Sequence, residues 1–228
     1  TPKIDTTHSV KIFQLKIKRL LDISVSLIGM LIFSPVFLII AVLIKLNSKG
    51  PIFFIQERLG YKGSTFKIYK FRTMVDKAWE KGTGLYITEE DERITKIGRY
   101  LRYLHIDELP QLINILRREM SLVGSRAAIP YHYDYYEEWE KARVDVLPGI
   151  TGWSQINGAD AIDWDERIKM DVWYVKNWSL KLDFYIILKT VQHILLRLLG
   201  HKKDAYPING PVWKRDRPDN IEPKNNQE

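Results

Sequence analysis

The 228-residue sequence predicts a mainly α protein with a small β-hairpin, an α+β fold in which one membrane segment precedes a compact, water-exposed domain. Three observations carry that class. Residues 23–44 hold no charged side chain, residues 52–71 read as two strands around a glycine-bounded turn, and apolar residues recur at helical spacing from residue 94 onward.

At about 1.5 Å per residue, an unbroken helix over the apolar run crosses a hydrocarbon core of roughly 30 Å. Ser34-Pro35 stands at its centre. Pro35 has no N–H for the carbonyl of Leu31 and its ring crowds that turn, so a kink is expected, and the Ser34 hydroxyl is available to satisfy the freed carbonyl. Lys11, Lys16, Lys18 and Arg19 precede the run, and Lys45, Lys49, Arg58 and Lys62 follow it. Positive charge marks the cytoplasmic side of a membrane segment. A helix that dips in and returns satisfies both basic flanks, whereas a kinked spanning helix leaves one outside. The residues alone leave both forms open. The run exceeds the roughly 7–15 residues of a signal-peptide core, and no small-residue cleavage site follows it.

Some 180 residues remain after the membrane segment, enough for one compact domain of about 100–200 residues. The net charge of +7 points to an acidic partner: anionic headgroups, a phosphorylated small molecule or nucleic acid, of which the apolar run favours the first two. The absence of cysteine removes disulfides, thiolate catalysis and Cys-ligated zinc, and fits a reducing compartment. His8, His105, His132, His193 and His201 show no metal-ligand spacing and read as surface or packing residues.

Gly50-Pro51 ends the membrane segment, and strands over 52–55 and 66–71 flank Gly60-Tyr61-Lys62-Gly63. In the second strand Phe66, Ile68 and Lys70 share one face. Residues 75–92, with Gly82-Thr83-Gly84, read as a helix start followed by a loop. Ile97, Tyr100, Leu101 and Leu104 then predict a short basic helix, and Leu109, Leu112, Ile113 and Leu116 a second one. Pro110 falls in the first turn of that second helix, which puts Asp107 and Glu108 at or just before its N-terminus. A loop follows residues 120–124, 131–139 read as helical, and 148–158 as a glycine-bounded loop. A helix is expected over 164–178. Over 182–199, Phe184, Ile187, Leu188, Val191, Leu195 and Leu198 share one side, which suits the core or an in-plane interfacial helix. Trp153, Trp164, Trp173 and Trp178 suit either an interfacial belt or the core. The polar tail from Arg215 is expected to be disordered.

Asp107-Glu108 is the strongest chemical candidate. Carboxylates at a helix N-terminus stay ionised beside unpaired N–H groups and can bind a divalent metal, while one of them attacks phosphorus. The plain alternative is an N-cap followed by a first-turn acid. Lys70, Arg72, Arg93, Arg99, Arg102 and Arg126 surround the pair in sequence, and guanidinium forks match phosphate oxygens, so the set reads as a phosphate-handling site.

The ordered motifs KFRTM (70–74), DERITKIGRYLR (91–102), IDELPQLINIL (106–116), MSLVGSR (120–126) and PGITGWSQING (148–158), behind a Ser-Pro-broken apolar helix, resemble the bacterial polyprenyl-phosphate sugar-1-phosphate transferases. These are the monotopic phosphoglycosyl transferases, and the match runs from about residue 16 to 206. The resemblance implies transfer of a sugar-1-phosphate from a UDP-sugar to polyprenyl phosphate, usually undecaprenyl phosphate, with release of UMP. It implies Asp107 as the nucleophile of a covalent phosphosugar intermediate and Glu108 as metal ligand or proton acceptor, with Mg²⁺, or Mn²⁺ in its place, held by the two. Lys70, Arg72, Arg99, Arg102, Arg126 and Gln155 become the expected phosphate and nucleotide contacts. It also implies a re-entrant helix-break-helix at Ser34 and Pro35, so that the protein is monotopic on the cytoplasmic leaflet of the bacterial inner membrane.

The implied division is a basic segment (1–19), a re-entrant helix (20–46), a cytoplasmic catalytic domain with interfacial amphipathic helices (47–206) and a polar tail (207–228). Similarity of WYVKNWSLKLDFYIILKTV (173–191) and Ala205-Tyr206 to the polysaccharide-initiating branch implies a hexose, and a role in exopolysaccharide, capsule or O-antigen (lipopolysaccharide) synthesis. Downstream glycosyltransferases and a second copy of the chain are the expected protein partners. Three positions depart from the pattern. His105-Ile106 precede the acidic pair where Ser or Thr and Leu are common, Ser125 and Ala127 flank Arg126 where Pro is common, and Ala159 stands where Arg often ends the last motif. The alternative reading is a non-catalytic, membrane-anchored basic module for anionic lipid or nucleic acid. Interleaving of basic with acidic residues, and the lack of any nucleic-acid motif, count against it.

Overall fold

A computed structural model describes residues 6–78, 91–158 and 162–200. The apolar run folds as one helix, α1 (Thr6–Asn47), which over Lys11–Asn47 is long and apolar enough to cross a membrane. Ser34-Pro35 lies inside this helix, and the backbone is helical on both sides of Pro35. The proline frees one carbonyl, and the Ser34 hydroxyl donates to it, Leu31 O, at 2.8 Å. Satisfying that single acceptor from a side chain costs less than unwinding a turn whose amides would all need partners.

α1 is tied to the rest of the chain at three levels. At the first, Lys18 donates to Val123 O at 2.9 Å and pairs with Asp183 at 2.7 Å, Arg19 donates to Ile115 O at 2.8 Å, and Asp22 accepts from Ser121 Oγ and the N–H of Leu122. At the second, Met30 packs against a cluster of Phe66, Ile68, Leu112, Ile115 and Met120. At the third, Phe37, Ile40 and Ile44 bury Phe71 and Leu101. Between the last two, residues 31–36 are all exposed.

The predicted hairpin forms from β1 (Phe53–Leu59) and β2 (Thr65–Phe71), antiparallel with Phe53 opposite Phe71 and Leu59 opposite Thr65. β1 is longer than its four apolar residues suggested, because Gln56, Glu57 and Arg58 stay in register with β2. α2 (Lys96–Tyr103) follows, capped by Thr95, whose hydroxyl accepts from Gly98 N. Gly98 is required there: a Cβ would lie 2.0 Å from Thr73 O.

Asp107 and Glu108 do not start an α-helix. They lie in a 3₁₀ turn, Ile106–Gln111, which contains Pro110 and runs into the five-residue α3 (Leu112–Leu116). His105, at φ 55°, makes the left-handed step between α2 and this turn. The loops expected after residue 124 and over 148–158 are corrected. β3 (Ser121–Val123) and β4 (Ser125–Arg126) both pair in parallel with a central β5 (Pro148–Thr151). Strands of two to four residues leave no periodicity to read, and their partners lie more than twenty residues away.

The stretch expected as one helix over 131–139 is a 3₁₀ turn (Pro130–Tyr135) and a single-turn α4 (Glu138–Lys141) closed by a Glu137/Glu140 capping box. α5 (Trp153–Ile156), α6 (Trp164–Asn177) and α7 (Leu180–Leu198) complete the described chain, the last two close to expectation. α7 buries Asp183, Ile186 and Arg197 and exposes Phe184, Leu188, Val191, Leu195 and Leu198. Among the tryptophans, Trp153 stacks on the exposed Trp173, while Trp178 is half-buried and donates to Asp183. The glycines at 82 and 84, Ala159, and the segments 1–5 and 207–228 lie outside the described residues.

Asn114 joins hairpin and dyad. Fully buried, it donates to Lys67 O at 2.8 Å and accepts from Tyr69 N at 3.1 Å, so α3 stands in for a third strand along β2. Asn114→Ala leaves both main-chain groups without those partners, and a cost of about 2–3 kcal/mol is expected. In detergent, that should appear as a fall in Tm of about 4–10 °C; an unchanged Tm would show that the junction carries no stability.

Candidate active site

The site begins with the alternation of β2. Ile68 and Lys70 share a face, and Asn114 holds that strand beside the 3₁₀ turn, so Lys70 Nζ reaches Glu108 Oε1 at 2.6 Å. Arg126 arrives from β4, its guanidinium 3.8 Å from the same oxygen. It can do so because β5 passes close to the turn between β3 and β4. At Gly149, opposite Arg126 in the sheet, a Cβ would fall 2.1 Å from Gly124 N. Arg58, on β1, completes the wall.

The resulting cleft is lined by Arg58, Ile68, Lys70, Glu108, Gln111, Met120, Arg126, Ala127 and Gly149. Three cations and one acid meet there. Glu108 lines the cleft directly, and Asp107, 9 % exposed, precedes it in the same turn. Such a basket suits a ligand with several negative oxygens, since desolvated guanidinium and ammonium groups gain most from a phosphate partner.

The two acids of the dyad differ. Burial, then the adjacent Glu108 charge, push the Asp107 carboxyl up to about 6, against the opposing pull of Lys70 and Arg102. Glu108 moves the other way. Burial disfavours its charge, but Lys70, Arg126 and His105 together outweigh burial and hold it well below the usual carboxylate range. One acid is therefore a fixed anion committed to cations. The other is the more basic and so the better nucleophile near neutral pH.

The structure brings together Asp107, Glu108, Lys70 and Arg126 of the sequence-predicted set, with Arg102 one step away: its Nε donates to Thr73 Oγ1 at 2.7 Å and its charge is felt at Asp107. It does not bring Arg72 there. That guanidinium is buried and donates to Lys49 O and Ser48 O, pinning the chain where it leaves α1. Arg99 is exposed on α2. Gln155 donates to Ile150 O, and its Oε1 is buried without a partner among the described residues. Ser125, standing where Pro is common, donates to Arg143 O.

Arg58, in the sequence a flanking charge of the apolar run, also lines the cleft. Burial, and then Arg126, push its guanidinium down from its ordinary value, and its Nε is buried without a partner among the described residues. The signal available in the sequence was its even spacing from Phe54 and Gln56, the β1 residues opposite Lys70 and Ile68. Among the described residues no group of three or more His, Cys, Asp or Glu could hold a metal ion. The dyad offers two carboxylates. That fits Mg²⁺, which commonly takes one or two protein carboxylates and fills its sphere with water and substrate phosphates.

The family model described as "Bacterial sugar transferase" matches residues 13–197. The chain is 42% identical over 180 residues to the "Uncharacterized sugar transferase EpsL" of Bacillus subtilis (strain 168), covering 79% of this chain and 88% of that one. It is 41% identical to the "UDP-N-acetylgalactosamine-undecaprenyl-phosphate N-acetylgalactosaminephosphotransferase" of Aeromonas hydrophila, over 78% of this chain and 44% of that one. It is 40% identical to the "UDP-glucose:undecaprenyl-phosphate glucose-1-phosphate transferase" of Escherichia coli (strain K12), over 77% of this chain and 39% of that one. The chain thus spans most of EpsL and under half the length of the two longer relatives.

A raised acid has a thermodynamic signature. Asp107 binds its proton more tightly folded than unfolded, so its ionisation destabilises the fold as pH rises from about 4 through 6. Asp107→Asn should therefore raise Tm at pH 7.5, with the gain shrinking toward zero below about pH 4. A variant no more stable at pH 7.5 than at pH 4, relative to wild type, would overturn the assignment.

Proposed function

The chain belongs to the bacterial sugar transferase family, and we propose that it moves a sugar-1-phosphate, a hexose-1-phosphate, from a UDP-sugar to a polyprenyl phosphate such as undecaprenyl phosphate, releasing UMP. The observation that carries this reading is the divided dyad: a buried, more basic carboxylate beside a strongly acidic one, at the edge of a cleft with three cations. In the first step an Asp107 oxygen attacks the phosphorus that bears the sugar. The new Asp–O–P bond forms as the bond to the UMP phosphate breaks. In the second, an oxygen of the polyprenyl phosphate attacks that phosphorus and the aspartyl bond breaks, freeing the carboxylate. Lys70, Arg58 and Arg126 neutralise the diphosphate as it enters, and Glu108 keeps Lys70 and Arg126 in place between turnovers. Mg²⁺ or Mn²⁺, held by Asp107 and Glu108 with the substrate's phosphates, would supply further charge neutralisation. In this reading Arg72 and Arg99 act outside the cleft.

We also propose that α1 is re-entrant, so that the protein is monotopic on the cytoplasmic face of the inner membrane. Both ends of α1 support this. Lys18 and Arg19 are bonded to Val123 and Ile115, and Ser48 and Lys49 to Arg72, all in one domain, although a straight helix would separate positions 18 and 49 by roughly 45 Å. The exposed 31–36 segment is then the apex in the bilayer. The apolar face of α7, with Phe184, Leu188, Val191 and Leu195, lies in the interface, which keeps the cleft at the level of the acceptor phosphate. The product would feed downstream glycosyltransferases of exopolysaccharide, capsule or O-antigen synthesis, and a homodimer fits such an assembly.

With UDP-sugar and Mg²⁺ alone, intact mass should show a sugar-phosphate adduct on wild type, and Asp107→Asn should lose UMP release by about three orders of magnitude. Full UMP release by Asp107→Asn would remove the nucleophile. For topology, the cysteine-free chain allows Asp5→Cys and Asn220→Cys to be labelled in sealed vesicles. Same-side labelling is expected, and opposite sides would make α1 a spanning helix.

A further inference from the structure

Among the described residues the largest fully buried side chain is Arg143. Its guanidinium donates to Asp171 Oδ2 and to Tyr136 Oη, and at 2.9 Å to the main-chain carbonyl of Arg126. Asp171, also fully buried, accepts from Ser154 Oγ at 2.8 Å and from the main-chain N–H of Arg126. Ser125 Oγ closes the group by donating to Arg143 O at 2.7 Å. Both main-chain polar groups of Arg126 therefore end on one buried ion pair, contributed by the turn after α4 and by the middle of α6.

Stability alone gives no reason for this arrangement. Two desolvated charges recover little more than their desolvation cost, and well-packed apolar residues of similar volume commonly do as well or better. Position gives a reason. β4 is two residues long, and its pairing to Pro148 and Gly149 is too short to hold an arginine at a set depth. A small second pocket beside Arg126 is lined by Leu59, Gly60, Ser125, Ala128, Arg143 and Val144 among others. Without a further hold on its main chain, the Arg126 guanidinium has no fixed distance from Glu108. The Arg126 side chain, 34% exposed, stands 3.8 Å from Glu108 at the cleft.

We infer that Arg143 and Asp171 are positioning residues for Arg126: the buried pair grips its main chain on both sides and sets how far its guanidinium reaches into the dyad cleft. The inference rests on the reading of Arg126 as a phosphate contact of the sugar-phosphate donor. Because the pair acts through Arg126, its loss has a consequence that general loosening of the domain lacks. It matters only while the Arg126 guanidinium is present.

A double-mutant cycle on the full chain in detergent tests this, with kcat/KM for the best UDP-hexose of a UDP-glucose and UDP-galactose panel read by UMP release. Arg126→Ala should lower kcat/KM about 10–100-fold. Asp171→Asn should lower it about 10-fold in the wild-type background and less than about 2-fold in the Arg126→Ala background. Equal factors in both backgrounds would mean that Asp171 only supports the fold, and the positioning role would be overturned. Should Asp171→Asn not fold, Ser154→Ala removes one hydrogen bond to Asp171 and keeps the ion pair; about 3-fold is then expected with Arg126 present and none without it. Arg126→Ala with full activity would instead overturn the donor-site reading, and this inference with it.

Discussion

Glu108 is the point where three separate segments of the chain must agree. Its carboxylate accepts from Lys70 of the hairpin and faces Arg126 of the small parallel sheet, while its own backbone belongs to the 3₁₀ turn. A buried carboxylate without such partners would cost several kcal/mol, so the hairpin and the sheet cannot move independently of the turn. The same contacts separate the two acids. The cations outweigh burial at Glu108, whereas at Asp107 burial and the neighbour's negative charge outweigh the pull of Lys70 and Arg102, and its proton affinity rises. A difference in basicity between adjacent carboxylates thus comes from where three loops of chain are anchored.

The anchoring is shared with the apolar helix. Ile106, immediately before the dyad, packs in the cluster that holds Ile40 and Ile44, and Leu112, just after it, lies 3.2 Å from where a Cβ at Gly29 would stand. Arg72 spends its guanidinium on the chain leaving α1. The dyad turn is therefore gripped on both flanks by the long apolar helix α1. Short links between helix and turn fix the position of the two carboxylates relative to α1.

Buried charge recurs away from the cleft. Asp183 accepts from Lys18, Tyr174 and Trp178, joining the first level of α1 to α6 and α7. Arg143 and Asp171 join β4 to α6. In each case an ion pair with every oxygen engaged fixes an orientation that apolar packing alone would leave looser.

What the sequence determined by itself was everything that a local period or a breaker residue encodes. The apolar run, the Ser34 hydroxyl opposite the carbonyl freed by Pro35, the hairpin about Gly60, the stripes of α2, α6 and α7, and the acidic pair in the first turn beside Pro110 all depend on neighbours a few residues apart. The three-stranded sheet was out of reach because its strands are too short to show alternation and pair only through close main-chain approach at Gly124 and Gly149. Likewise six basic residues near one motif look equivalent in a line of text. Tertiary structure sorted them, sending Lys70 and Arg126 to Glu108, adding Arg58, and turning Arg72 to the end of α1 and Arg99 to the surface. Side-chain direction decides that, and direction depends on strand register and on which long-range hydrogen bonds close, quantities that no local pattern contains.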